Sequence, residues 1–294
     1  MTEVLNLNLD YSRPIKIAPD VYWIGFYDNQ AGLHCNPYLI IDGDQAVVID
    51  GGSRPHFPVV MMKILQTGLD PSAICALIYQ HYDPDLCGSL PNFEDIIDRP
   101  DLKIISAGEN NMFINHYSTS SRFYSLQELQ NSFSFDSGRK LGFTMTPYSH
   151  SGGSFVTLDE KSGVLFTSDL FGSYGGKWDL FLDLGKNCHS CADYTACPEG
   201  KKYCPFPDII NFHQRVMTSE RALKHSLEQI SHLPFRMIAP QHGSIIHKPE
   251  KILTVARLLA ELKGVGIDRI LGDRPYECMG NLSALVERLA PHEA

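Results

Sequence analysis

Four short apolar runs in this chain each end on a residue able to hold a metal ion. Ala73–Tyr79 leads into Gln80-His81-Tyr82-Asp83-Pro84-Asp85, and Leu141–Pro147 leads into Tyr148-Ser149-His150. Gly163–Thr167 leads into Ser168-Asp169, and Phe235–Pro240 into Gln241-His242-Gly243. Runs this short, rich in Ile, Val, Phe and Thr and closed by Gly or Pro, read as buried strands. Sites are usually built on loops just past the ends of strands, where a rigid sheet holds them. A single His or Asp in such a place is most simply a turn or cap residue. Recurrence at four strand ends is harder to explain that way. Three histidines and three aspartates would share one rim, offering donors that iron, manganese or zinc accept. Side chains alternate along His-x-Asp-x-Asp, so His81, Asp83 and Asp85 can point the same way.

A second constellation follows Asp169. Half of the eight cysteines lie in one polar, Gly- and Pro-containing stretch: Cys188, Cys191, Cys197 and Cys204, spaced C-x2-C-x5-C-x6-C. Four thiolates at such spacing bind structural zinc or an iron–sulfur cluster. A pair of disulfides is disfavoured, because no secretory segment is read and cytosolic thiols stay reduced. A [4Fe-4S] cluster is the favoured occupant and zinc the alternative. Cys75 sits in an apolar strand and reads as core. Cys87, two residues past Asp85, is a tempting further ligand, but a helix starting at Asp85 would turn it away.

The order His-x-acid-x-Asp, then His, then Asp, then His-Gly resembles the metallo-β-lactamase fold. More narrowly, it resembles the flavodiiron proteins and their flavin-free relatives, the oxygen-binding diiron proteins. Phe166-Thr-Ser-Asp-Leu-Phe-Gly172 is similar to the stretch around the bridging aspartate of that family. Asn36–Asp42 and Val47–Gly52 resemble its opening strands, with Asp50 structural. The resemblance spans about residues 15–265. It implies a first metal held by His81, Asp83 and His150, a second held by Asp85 and His242, and Asp169 bridging both. Leu86 stands where the family motif has a histidine of the second metal. Either the second metal binds weakly, or it keeps an open position beside an apolar side chain; the open position is favoured, since it suits dioxygen or nitric oxide. Three carboxylates against two divalent ions leave a small positive surplus for a bound anion, and their harder oxygens tilt the choice toward iron or manganese. Tyr82, Tyr148 and His34 are candidates for the pocket wall.

A length of 294 residues suffices for one large α/β domain. A net charge of −9 without a dense Lys/Arg block argues against nonspecific binding to nucleic acid or anionic membranes. No membrane-spanning run or signal peptide is read, so a cytoplasmic protein is expected. Strands are expected at Val21–Phe26, Tyr38–Ile41, Ala46–Asp50 and Ile104–Ala107. Helices are expected at Pro58–Gln66, Ser125–Ser132, Ser219–Ser231 and Pro249–Leu262, the first burying Val59, Val60 and Ile64. Two sheets' worth of strands alternating with helices fit an α/β fold, the αββα sandwich of the metallo-β-lactamase type. The expected division is a diiron domain over 1–265, carrying a four-cysteine insertion at about 186–206, and a tail over 266–294. Leu282, Leu285, Val286 and Leu289 in that tail have helical spacing and suit a packed helix, or one joining a homodimer or signalling partner.

Two functions compete on these grounds. One is an oxidoreductase that reduces dioxygen or nitric oxide at two irons, with the cysteine loop or an electron-donor protein supplying electrons in place of a flavin domain. The other is a sensor that binds dioxygen without rapid turnover. A zinc hydrolase, using metal-bound hydroxide, is a third reading.

Overall fold

The computed structural model describes residues 9–272, apart from 118–119, 176, 192–193, 195–196 and 198–199. The chain opens with β1 (Ile15–Ala18) and β2 (Val21–Trp23), makes a small hairpin of β3 (Phe26–Asp28) and β4 (Leu33–Cys35), and returns as β5 (Tyr38–Asp42) and β6 (Gln45–Ile49). The apolar run 21–26 is thus two strands broken at Ile24-Gly25. Helix α1 (Phe57–Gln66) crosses to β7 (Ile74–Ile78), and helices α2 (Pro84–Cys87) and α3 (Leu90–Ile97) lead to β8 (Lys103–Ser106). After α4 (Gly108–Ile114) comes β9 (Arg122–Ser125). The result is a seven-stranded sheet in the order β1-β2-β5-β6-β7-β8-β9, antiparallel as far as β6 and parallel beyond it.

The second sheet has five strands in sequence order: β10 (Ser132–Ser134), β11 (Lys140–Met145), β12 (Phe155–Asp159), β13 (Val164–Phe166) and β14 (Met237–Ala239). Between its last two strands run α5 (Phe206–Val216) and α6 (Glu220–Ser231), and α7 (Pro249–Glu261) and α8 (Ile267–Leu271) follow β14. Residues around α8 still pack on this layer, with Ile267 N donating to Thr218 O at 3.0 Å. Leu282, Leu285, Val286 and Leu289 lie outside the described residues.

Alternation along the strands makes both sheets two-sided. Ile40, Val47, Ile49, Ala76 and Ile78 pack against Leu141, Phe143, Phe155, Val164 and Phe166 of the other sheet. Their neighbours Leu39, Val48 and Leu77 face outward onto Val60, Met61 and Ile64 of α1 and Leu90, Phe93 and Ile97 of α3. Val156, Leu158, Leu165 and Ile238 do the same beneath α5, α6 and α7. Helix, sheet, sheet, helix: the αββα sandwich is built from period-2 burial. Cys75 lies in the core between the sheets, as its apolar strand implies. In α1 it is Met61 that joins Val60 and Ile64 inside, while Val59 is exposed.

Ser125–Ser132 is a turn between strands and not a helix. Glu128 accepts hydrogen bonds from the backbone and hydroxyl of Ser125, which starts a helical turn. Gln130 and Asn131 then take left-handed backbone with φ of 52° and 54°, which ends it after one turn. Among the described residues no helix is long and apolar enough to cross a membrane.

Candidate metal centre

All four apolar runs end on the same rim, and the six donors meet there. His81 follows β7, with Asp83 and Asp85 in the turn into α2; Asp169 follows β13, His242 follows β14, and His150 lies between β11 and β12. His81, Asp169 and His242 form a buried floor, whereas Asp83, Asp85 and His150 are part-exposed and form the open side.

The distances divide the cluster in two. In the first half, His150 Nε2 lies 3.1 Å from Asp83 Oδ2 and 3.2 Å from Asp169 Oδ2. His81 Nε2 lies 3.8 Å and 3.9 Å from the same two oxygens. In the second half, His242 Nε2 lies 3.2 Å from Asp85 Oδ2 and 3.5 Å from Asp169 Oδ1. Asp169 therefore turns one oxygen to each half. Its Oδ1 is buried and has no hydrogen-bond partner among the described residues. Donors roughly 2.1 Å from a shared ion are separated by about 3.0–3.4 Å, so the donor set fits two metal ions.

The imidazoles are aimed from behind. His81 Nδ1 pairs with Ser168 Oγ at 2.8 Å, and His242 Nδ1 donates to the His34 carbonyl at 2.8 Å, leaving each Nε2 toward the centre. Asp85 accepts from Gln241 Nε2 at 3.2 Å. Two non-glycine residues in left-handed backbone, Ser168 (φ 53°) and Phe171 (φ 69°), bend the chain around Asp169. His213 of α5 holds that bend. Its Nδ1 donates to Ile209 O at 2.8 Å, and its Nε2 accepts from Phe171 N at 3.0 Å. Burial lowers its pKa to about 4, so the ring is neutral.

Charge in the cluster follows from crowding three carboxylates. Burial opposes a charge on His150, but the Asp83 hydrogen bond and the Asp169 and Asp83 charges lift its pKa to about 9. His242 is likewise raised well above its ordinary value against its own burial, chiefly by the Asp85 hydrogen bond. Without metal, protons on these rings supply the positive charge that bound cations supply instead. Asp50 is buried, accepts from Gln80 N at 3.0 Å, and is pushed up by burial; its role is structural.

The remaining expectations resolve one by one. Cys87 turns away, its thiol donating to the Tyr82 and Asp83 carbonyls at 3.0 Å each. Leu86 is fully buried in the apolar layer beneath the first sheet. Tyr148 is 60% exposed and lines a surface hollow with Pro147, Thr218 and His225, while Tyr82 packs tilted against Phe113 with ring centroids 4.4 Å apart. His34 is buried between Tyr27 and Trp178, and contributes its carbonyl to His242. Sequence reasoning missed Cys35. Its sulfur, an Asp85 carboxylate oxygen and a ring nitrogen of His242 all lie within 4.8 Å of one another.

The loop cysteines converge less tightly. Cys188, Cys191 and Cys204 pack against the layer under α5 and α7. Burial pushes the Cys204 thiol up, and the thiols of Cys188, Cys191 and Cys197 add to this. Among the described residues, the groups of three donors within 4.8 Å all lie at the strand-end centre.

A rim of His and Asp donors on an αββα sandwich defines a domain of the metallo-β-lactamase fold. Within that fold the chain belongs to the family described as "ODP family beta lactamase", whose profile matches residues 33–243. Its relatives include the "Type A flavoprotein fprA" of Rhodobacter capsulatus, 25% identical over 260 residues, covering 84% of this chain and 55% of that protein. The "Flavo-diiron protein FprA2" of Clostridium acetobutylicum is 25% identical over 173 residues, covering 54% of this chain and 42% of its own length. The chain thus spans about half the length of these curated relatives. Among solved structures, the apo state of the chemotaxis sensor ODP from T. denticola is similar with a TM-score of 0.67 and 25% identity, covering 87% of this chain and 96% of that one.

Proposed function

We propose that this is a non-haem diiron protein that binds dioxygen and either senses or reduces it. The observation carrying this reading is the divided carboxylate of Asp169, with Oδ2 toward His81 and His150 and Oδ1 toward His242. In this assignment His81, Asp83 and His150 would hold the first iron, Asp85 and His242 would hold the second, and Asp169 would serve both. Three carboxylates make a hard donor set that suits iron better than a hydrolytic zinc site. Bound iron supplies the electrons and the open positions that dioxygen chemistry needs. The protein's own residues orient the donors: Ser168 and the His34 carbonyl fix two rings, Gln241 steadies Asp85, and the buried floor excludes water on one side.

We infer that the loop of Cys188, Cys191, Cys197 and Cys204 would hold a [4Fe-4S] cluster able to supply electrons to the strand-end centre, with structural zinc as its rival occupant. Its position supports this role. Cys204 stands two residues before α5, and α5 carries the His213 that holds the bend at Asp169. Between sensor and enzyme, the likeness to the T. denticola protein described as a chemotaxis sensor favours the sensor, since this chain covers 96% of it.

Metal analysis of protein purified without oxygen tests the reading. About six irons with acid-labile sulfide per chain is the expected result. About two irons with one zinc and no sulfide removes the relay and leaves the diiron protein. Zinc alone overturns the assignment in favour of a hydrolase. Oxygen uptake with dithionite then separates the two roles: a single stable adduct marks a sensor, and many turnovers an oxygen reductase. Nitric oxide is run as the second gas. Replacing Cys191 with Ser should abolish re-reduction of the diiron site by a one-electron donor.

A further inference from the structure

We propose that Cys35 is the third side-chain donor of the Asp85–His242 half of the centre, a thiolate serving where Leu86 offers nothing. The proposal rests on the two-metal reading above and deepens it. Asp85 and His242 alone give the second metal two donors of its own beside the shared Asp169, one fewer than the first half has. Leu86 cannot help, being fully buried in apolar surroundings. Cys35 can. It ends β4, is 2% exposed, and its sulfur shares the 4.8 Å neighbourhood of the Asp85 carboxylate and the His242 ring.

That placement is fixed by the backbone on both sides of Cys35. His242 Nδ1 donates to the carbonyl of His34, and the amide of Asn36 donates to Gln241 O, each at 2.8 Å. The Asn36 side chain donates to Pro240 O at 3.0 Å and Gly243 O at 2.8 Å. Asn36 is itself held by Trp23 Nε1 at 2.8 Å. Residues 34–36 and 240–243 therefore move as one piece, with Cys35 at the seam facing His242. Cys87 provides the contrast: it is nearer Asp85 in sequence, yet its thiol is spent on two carbonyls.

Charge points the same way. Three carboxylates leave two divalent ions with one uncompensated positive charge, and a thiolate from Cys35 brings the buried site to neutrality. Metal entry displaces the thiol proton to solvent as the metal–sulfur bond forms, so no redox partner is required. The buried Asp169 Oδ1, without a hydrogen-bond partner among the described residues, faces the same half.

The test is cobalt(II) loading of the full chain, read by cobalt per chain and by the near-ultraviolet thiolate-to-cobalt band. Wild type, Cys35→Ser, Cys35→Ala and Cys87→Ser are compared. The wild-type minus Cys35→Ser difference cancels any cobalt in the loop of four cysteines. Expected is a thiolate band in that difference, a flat difference for Cys87→Ser, and cobalt affinity of the second site lowered about 10–100-fold in Cys35→Ala. A flat Cys35→Ser difference with two strand-end cobalts retained overturns the thiolate while sparing the two-metal reading. The strand-end count is the cobalt kept by a chain in which Cys188, Cys191, Cys197 and Cys204 are all replaced by Ser. If that chain keeps only one, the two-metal reading falls and the proposal with it. Near-ultraviolet circular dichroism matching wild type establishes that the variants are folded.

Discussion

The side-chain amide of Gln80 donates to the backbone carbonyl of Phe166 at 2.8 Å, joining the end of β7 to the end of β13 across the sandwich. The same amide reaches Phe155 O on β12 at 3.0 Å. Gln80 immediately precedes His81, and Phe166 stands three residues before Asp169, so this clamp sets the separation of the two donors. Gln80→Leu would leave buried carbonyls unsatisfied, at about 1–3 kcal/mol for each. The expected outcome is a lower urea midpoint and iron binding weakened in both halves. A variant with wild-type stability and full iron content would show that the sheets hold the donors without it.

Asp169 and the histidines should fail in different ways. Asp169→Ala removes an oxygen from each half and is expected to lose both metals. His150→Ala and His242→Ala each remove a donor from one half, so each should lose mainly one. Metal content after desalting distinguishes the cases. Two metals retained by Asp169→Ala would contradict bridging, and equal losses in all three variants would mean the halves bind as a single unit.

Far from the centre, Arg139 donates to both carboxylate oxygens of fully buried Asp159, and its guanidinium lies 3.5 Å from Asp42. Arg139→Met strands buried charge and should cost about 3–5 kcal/mol in chemical denaturation. Asp42 adds a pH dependence. Burial raises its pKa, but hydrogen bonds from Ser137 and Lys161 and the charges of Lys161 and Arg139 outweigh burial and hold it below the ordinary 3.8. A depressed carboxyl binds fewer protons folded than unfolded. Its stabilisation is therefore complete above the unfolded pKa and lost as pH falls through the lower folded one. Asp42→Asn should flatten the loss of stability below pH 3.8. An unchanged acid limb would remove Asp42 from the account.

How much of this was legible depended on whether a side chain or a backbone group carried the signal. His81, His150, Asp169 and His242 stood out because each follows the end of an apolar run, and Asp83 and Asp85 because they alternate after His81; runs of that kind become strand ends on one rim. The two-sided sheets were equally readable from alternation. Cys35 was not, because its neighbourhood depends on how residues 34–36 register against 240–243, roughly two hundred positions away. The His34 carbonyl has no side-chain signature at all. His213 sits in an ordinary amphipathic helix, and only the left-handed backbone at Phe171, invisible in sequence, gives it a task. The helix expected at Ser125–Ser132 failed for a related reason: Gln130 and Asn131 adopt a local backbone that the apolar pattern does not report.

Gly243 offers a way to disturb one half of the centre through backbone alone. Its φ of 82° lies in left-handed territory, and an added Cβ would stand 2.2 Å from Ser173 Oγ and 2.9 Å from Ser173 N. The hydroxyl can rotate away, but the backbone amide cannot, so the loop must shift. Gly243 O is also an acceptor for Asn36, so the shift should carry residues 34–36 along with His242 and draw both away from Asp85. Strain of about 1–3 kcal/mol is expected in Gly243→Ala. His81, Asp83 and His150 lie on other loops, and their half should keep its metal. Metal content should therefore fall toward one per strand-end centre, with a modest decrease in thermal midpoint. Loss of both metals would instead mean that the first half depends on the 240–243 loop as much as the second does.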